Sequence, residues 1–474
     1  MTDQITALSA RALAEAIRTR RLSSEEVVAA HLARIDELNP SITAIVSSQP
    51  DVALETARER DRELARGLIR GPMHGLPIAV KDLMDVAGLP TSHGSRIYAG
   101  RVAADDSVIA ARLREAGVVF VGKTNTPEFG AGSHTFNEVF GPTRNPYDTT
   151  RSAGGSSGGA AAAVTTGMLP FADGSDLGGS IRNPASFGNL VGLRPTAGRV
   201  ASARPGNAWD PGSVLGALTR DVADTALFLS VIAGPERRAP LSIDEDPQLF
   251  LSLAPRSFRG ARIAYSPDLG GLPLDPEVRE ATAAAARLAS DLGAEVVEVD
   301  LDLTEADLVF ETFRSLEFLD AHGEDAALHP ELVKQTVRDD VSWADAIDAR
   351  LLNRAAGART RLFRRFQSLL AEYDMLLAPT TQVLPFPIEW EYPTEIEGVA
   401  MERYYTWQRS CSRITATAMP ALSMPMTFSR GGLPIGVQFV GPYRGERLLL
   451  EFALTWESAV GDVMARRPDL GGTP

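Results

Sequence analysis

The chain has 474 residues, 44% hydrophobic and 23% charged, ordinary values for a folded globular protein, which excludes global disorder. A formal net charge of -14 argues against a nucleic-acid footprint, and the single cysteine, Cys411, excludes an intramolecular disulfide framework and a cysteine-built zinc site. No basic-then-apolar leader opens the chain and no run approaches the roughly twenty apolar residues of a membrane helix, so a cytoplasmic protein without membrane contact is expected.

In chain order, SARALAEAIRTRR and SSEEVVAAHLARIDELNP read as amphipathic helices. Ser23 and Glu26 match a capping box, and Pro40 is expected to end the second helix. A charged helical stretch, DVALETARERDRELARG, stops at Gly67. LPIAVKDL (76–83) predicts a short apolar strand, DSVIAARLREAG (106–117) a helix closed by glycine, and VVFVGKTN (118–125) another strand. Such alternation predicts an α/β fold. From 126 to 215 glycine, proline and asparagine dominate and regular periodicity fades; a stretch of that length without clear elements points to function, since apolar runs such as VGLRPT (191–196) speak against disorder. RIAYSPD (262–268), PEVREATAAAARLASDLG (276–293) and AEVVEVDL (294–301) then form a βαβ-like unit. DMLLAPT (374–380), ALSMPM (421–426) and PIGVQFVG (434–441) predict further strands, and ERLLLEFALTWESAVG a closing helix. With no fixed-period repeat and no long linker, one domain over 1–474 is expected, with a helical segment at 1–67.

Two serines sit in glycine-rich settings. GGSSGG (154–159) formally matches the G-x-S-x-G nucleophile elbow, but the elbow needs a buried strand before it and an acid and a histidine after it. The preceding TRNPYDTTRSA is a polar loop, and only His322 and His329 follow, in charged, helix-like surroundings. A glycine-rich turn entering the helix GGAAAAVTTG is the simpler reading. DLGGS (176–180) differs, because consecutive glycines let backbone N–H groups converge on one point, as a developing oxyanion requires. Taken alone it is equally an anion-binding turn or a plain tight turn. His74, His93 and His134 lie in turn-rich loops without a readable acid partner, so structural or surface roles are expected. Lys81 ends the apolar run IAVK; desolvation there would lower its pKa of about 10.4 by several units and make it a competent base. A charged lysine at a strand end remains the plain alternative, and Asp82, one residue on, alternates to the opposite face.

The combination GLPIAVKDL, GKTNTPEFG, FGPTRNP, GGSSGGAAAAV and SDLGGSIRNPASFGNLVGLRPTAGRV resembles the amidase signature family, most strongly over 71–200 and more loosely toward both ends, with 201–474 the remainder of the sheet and the substrate-pocket region. The resemblance implies an α/β fold with a large mixed β-sheet covered on both sides by α-helices. It implies a Ser–cisSer–Lys triad: Ser180 the nucleophile, Ser156 the proton relay after a cis peptide bond, Lys81 the base. The two serines are 24 positions apart, a separation similar to the family's. The same resemblance assigns the oxyanion hole to the N–H groups of Leu177, Gly178, Gly179 and Ser180, supporting hydrogen bonds to Ser157, Asp176 and Arg182, and acceptance of the substrate N–H to the Gly130 carbonyl. It implies a small-molecule amide substrate, ester or carbamate cleavage as side activities, no metal and no organic cofactor, and it is compatible with a homodimer. Ser175 stands where many members have threonine, and Asn189 where relatives often carry cysteine or glycine. The runner-up is the catalytic component of a glutamyl-tRNA amidotransferase complex, whose members usually read KLNMDEF where this chain has KTNTPEF and SLDQIGP where it has DPGSVLGAL. Trp209, Phe136, Phe140, Tyr404, Tyr405 and Trp407 are pocket candidates in variable segments, and 381–408, which matches no motif, reads equally as a pocket wall or a surface loop.

Overall fold

The protein is described by a computed structural model that covers residues 2–203 and 206–470. Fifteen strands are present among these residues. They are β1 (Ile45–Ser48), β2 (Pro77–Lys81), β3 (Val119–Thr124), β4 (Arg144–Asn145), β5 (Asp148–Ser152), β6 (Phe171–Asp176), β7 (Val191–Arg194), β8 (Val214–Thr219), β9 (Arg262–Tyr265), β10 (Glu295–Glu298), β11 (Met375–Pro379), β12 (Glu395–Ile396), β13 (Val399–Ala400), β14 (Ala421–Phe428) and β15 (Pro434–Val440).

Eight of them form one mixed sheet in the order β10-β9-β11-β15-β14-β7-β8-β6. The β10, β9 and β11 pairings are parallel and the remainder antiparallel. A smaller sheet, β1-β3-β2, lies alongside, with Lys81 in register with Thr124 across the parallel β2–β3 pair. Helices cover both faces of the large sheet. Val222–Ile232, Pro276–Asp291 and Glu446–Ala459 pack on one, through Phe228, Ala285, Phe452 and Trp456 against Phe171, Leu193, Ile263, Met424 and Phe439. Gly158–Thr165, Ala349–Glu372 and Arg409–Thr417 pack on the other, through residues such as Ala161, Leu362 and Ile414. No described helix is long and apolar enough to cross a membrane.

Two expectations are corrected. The helix Ser24–Ile42 has the predicted capping box at Ser23, but it runs through Pro40. Its stop is built from Asn39 instead: the Asn39 carbonyl accepts the N–H of Thr43, which is left-handed at φ 58, and its Oδ1 accepts the N–H groups of Ala44 and Ile45 at 2.8 Å each. The stretch 126–215 is not poor in elements, for it holds β4 to β7, the start of β8 and the helices Gly158–Thr165 and Arg182–Phe187. Every residue of β6 and of helix Gly158–Thr165 is buried. An element with no solvated face has no polar–apolar period to display.

Candidate active site

Three elements deliver side chains to one place. β2 ends in Lys81, a glycine turn carries Ser156 and Ser157 into helix Gly158–Thr165, and β6 leads into the turn that carries Ser180. Lys81 is fully buried (0% exposed). Its Nζ donates to Ser156 Oγ at 2.7 Å, Ser157 Oγ at 2.9 Å and Ser175 Oγ at 2.9 Å. These are neutral hydroxyls, so nothing in direct contact offsets desolvation. Burial pushes Lys81 from 10.5 down to about 7, against the pull of Asp173 and Asp176. Near neutrality the amine and the ammonium are therefore both populated.

The two serine turns are locked to each other. The Ser157 N–H donates to the Ser180 carbonyl at 3.2 Å. Gly155 is left-handed at φ 54, and a Cβ there would lie 2.6 Å from Pro184 Cδ and 3.1 Å from Ser180 Cα. Only glycine allows this approach. With Gly154 also left-handed at φ 75, the chain turns without a cis bond, and no cis peptide occurs among the described residues. This corrects the expectation of a cis bond before Ser156.

Asp176 orders the Ser180 turn. It accepts the N–H groups of Gly179 at 2.9 Å, Ile181 at 3.2 Å and Arg182 at 3.3 Å, and the Arg182 guanidinium at 3.0 and 2.9 Å. Arg194 Nε stands 3.5 Å away. Burial opposes the charge, but Arg182, Arg194 and the amide donors outweigh it and hold the carboxyl at about 2. One expected oxyanion donor is thereby occupied, since the Gly179 N–H turns to Asp176. The N–H groups of Leu177, Gly178 and Ser180 make no hydrogen bond among the described residues. Gly130 lies beside Ser156, where a Cβ would sit 3.8 Å from Ser156 Oγ, and its carbonyl accepts the Gly132 N–H at 3.1 Å.

Gly179 has φ 120, and a Cβ would meet Cys411 Cβ at 2.7 Å and Asn183 Nδ2 at 2.8 Å. Both neighbours are buried and hydrogen-bonded. Gly179→Ala is expected to cost about 2 kcal/mol or more in denaturant unfolding; a variant as stable as the parent contradicts this packing.

Ser156, Ser175 and Ser180 open on one cavity with Leu177 and Gly178. Its outer wall is the helix Ala306–Leu328, which presents Arg314, Phe318 and His322, and Phe129, Gly130 and Tyr404 also line it. His322 stacks on Phe129 with ring centroids 4.3 Å apart, and burial pushes its imidazole down to about 4, so it serves as a neutral aromatic surface. The Arg314 guanidinium lies 4.2 Å from the Phe318 ring and 5.2 Å from that of Tyr404, and its Nη2 donates to Asp340 at 3.0 Å.

The sequence reading missed this wall. Positions 314, 318 and 322 recur at helical spacing, but they show a helix face without showing what it covers. Of the six aromatic candidates, Tyr404 alone lines the cavity. Tyr405 and Trp407 are buried packing residues, Phe136 stands over Lys334 in a separate cleft, and Trp209 is 71% exposed. The stretch 381–408 supplies both wall and packing, through Tyr404 and Gln408 on one side and Phe386 and Trp407 against Phe187 on the other. Asn189 donates to the carbonyls of Val463 at 2.8 Å and Arg466 at 3.3 Å, so its side chain ties down the C-terminal segment. Two of the loop histidines are tied into the fold by hydrogen bonds, and His93 packs edge-on against Tyr98 with ring centroids 5.4 Å apart. His74 hydrogen-bonds the Arg60 carbonyl at 3.0 Å, and His134 meets the Ile388 carbonyl at 3.0 Å and Ser152 Oγ at 2.8 Å.

A desolvated lysine touching three serines, beside a fourth on a turn with unengaged N–H groups, can perform nucleophilic catalysis without histidine. On a mixed-sheet α/β scaffold, that is the makeup of an amidase signature enzyme. The family model described as Amidase matches residues 26–450, and the chain belongs to this family. It is similar to an acylamidase of Rhodococcus erythropolis, 33% identical over 467 residues that cover 97% of each chain. It is as similar to the A-type subunit of the glutamyl-tRNA(Gln) amidotransferase of Moorella thermoacetica, 34% identical over 98% of this chain and 99% of that one. Among solved structures it superimposes on a bacterial aryl acylamidase of the same family with a TM-score of 0.90 at 28% identity, covering 97% of this chain and 99% of the other.

Proposed function

We propose that the protein is a self-sufficient amidase that cleaves carboxylic acid amides through an acyl-enzyme on Ser180. The observation that carries this reading is the 2.7 Å contact between the fully buried Lys81 Nζ and Ser156 Oγ. Neutral Lys81 takes the Ser156 proton as Ser156 takes that of Ser180, and Ser180 Oγ bonds to the amide carbon. The free N–H groups of Leu177, Gly178 and Ser180 stabilise the oxyanion. Ser156 passes a proton to the departing nitrogen, the C–N bond breaks, and the amine leaves. A water molecule, deprotonated by the same relay, then attacks the ester, and the carboxylate departs as Ser180 regains its proton. Asp176 and Arg182 hold the Ser180 turn, and Ser157 and Ser175 hold the lysine. The cavity walls of Phe129, Phe318, His322 and Tyr404 favour a substrate with an apolar or aromatic group beside the scissile bond.

The base must be neutral to act, so kcat/KM is expected to climb about tenfold per pH unit on the acid side and level off above a limb near 7, where burial places Lys81. A flat profile from pH 5 to 9 contradicts the assignment.

The second reading is the A-type component of an amidotransferase, favoured by relatives of that name matched over nearly the full chain. KTNTPEF and DPGSVLGAL depart from the residues usual in that component. The two readings separate on a panel of aliphatic amides, anilides, glutamine, an ester and a carbamate given to the purified chain alone. Turnover of an anilide or aliphatic amide supports the self-sufficient amidase. Turnover restricted to glutamine, or no turnover, supports the amidotransferase reading.

A further inference from the structure

Behind Lys81 lies a layer of buried charge that the reaction scheme leaves unused. Asp173, on β6 two residues before Ser175, is fully buried. Its Oδ1 accepts the Lys81 N–H at 2.9 Å, and its Oδ2 has no hydrogen-bond partner among the described residues. An ionised carboxylate held this way in a low-dielectric interior needs a cation to balance it.

The surrounding charges come from five elements. β2 brings Lys81 and leads into Asp82, β3 brings Lys123, β6 brings Asp176, and the guanidinium groups of Arg182 and Arg194 flank Asp176. Most are already matched. Asp176 has its two arginines. Lys123 lies 3.9 Å from Asp82 and donates to Thr91 Oγ1 at 3.1 Å and to the Met84 carbonyl. Asp82 in turn accepts the Ser92 hydroxyl at 2.5 Å. Two groups remain: Asp173, with no side-chain donor, and Lys81, with only hydroxyls on its Nζ.

We propose that Asp173 is the positioning residue of Lys81, fixing the strand end through the Lys81 N–H and supplying the buried counter-charge against which Lys81 gains and loses its proton. The proposal rests on the reading of Lys81 as the base. When Lys81 carries the Ser156 proton, the ammonium and the Asp173 carboxylate cancel. When Lys81 is neutral, Lys123, which pairs with Asp82, is the remaining nearby cation whose charge also eases the Asp173 carboxylate. Burial works in the same sense, raising Asp173 while it lowers Lys81, with each charge easing the other. The lysine can thus cycle within one turnover without stranding a lone charge.

Two substitutions test this with opposite signs. Asp173→Asn keeps an acceptor for the Lys81 N–H and nearly the same volume but removes the charge. The acid limb of kcat/KM is expected to move about one pH unit or more downward, with activity kept above the limb. Lys123→Met removes the cation that competes for Asp173, and the limb is expected to move upward. Both are read on the full chain with one anilide between pH 5 and 10. A limb that stays in place in Asp173→Asn, with the rate lowered equally at every pH, marks a purely structural carboxylate and overturns the proposal. If Asp173→Asn does not fold, Lys123→Met decides, since an unshifted or lowered limb there overturns it equally. A wild-type enzyme that turns over without any acid limb removes Lys81 as the base, a failure distinguishable from an unshifted limb.

Discussion

Ser180→Ala is expected to lower kcat by about 10⁴- to 10⁶-fold, the scale on which serine hydrolases depend on their nucleophile. Ser180 lies on the cavity, 8% exposed, and its hydroxyl makes no hydrogen bond to another described residue. What holds the turn is elsewhere: Asp176 on the N–H groups of Gly179 and Ile181, and the Ser157 N–H on the Ser180 carbonyl. Alanine preserves all of these. The loss should therefore fall on chemistry, with an unchanged denaturation midpoint and an unchanged circular dichroism spectrum. A variant that retains a tenth of the wild-type rate would place the nucleophile elsewhere.

Lys81→Met is expected to cost about 10⁴-fold or more, comparable to losing the general base in a histidine-dependent enzyme. Methionine fills much of the lysine's buried volume but can take no proton from Ser156. The residual rate should also lose the acid limb near 7 that burial assigns to Lys81. Stability carries a second signature. Lys81 is lowered in the folded state from 10.5 to about 7, so the unfolded chain binds its proton more tightly throughout that window. Stability contributed at this site therefore rises with pH from 7 to 10.5 and is lowest below 7. Denaturant unfolding at pH 7 and pH 10 should show that rise shrinking in Lys81→Met. An undiminished rise together with an intact acid limb would assign the titration to another group.

How legible this was from sequence depended on whether an element has two different faces. The amphipathic helices and the apolar strands β2, β3, β9, β11, β14 and β15 fall at the predicted places, because their ends carry turn residues or caps and their apolar runs are short. Helix Gly158–Thr165 falls where GGAAAAVTTG places it, though by composition rather than by a period, and β6 does not announce itself. Alanines and glycines there allow close approach, as at Gly159, where a Cβ would lie 2.4 Å from the Asn125 nitrogen. A segment selected for smallness has no amphipathic pattern. The serines and the lysine were legible only as parts of a five-motif resemblance, since Lys81 in IAVK reads equally as a surface lysine until its burial is seen. Asp173 was invisible for a related reason. The first of the two aspartates in FADGSD looks like turn chemistry, and only the sheet shows it to be interior. The wall from Arg314 to His322 came from a helix 134 positions downstream of Ser180, counting to Arg314, and no local pattern joins the two.

The most direct test is to mix the purified chain with an activated anilide or ester, quench in acid within the first turnovers, and locate the acyl group by mass spectrometry of the intact protein and its peptides. An adduct on the peptide bearing Ser180, formed before carboxylate release and absent in Ser180→Ala, is the expected result. Turnover with no adduct that persists in Ser180→Ala, or an adduct on a different residue, would contradict a Ser180 acyl-enzyme.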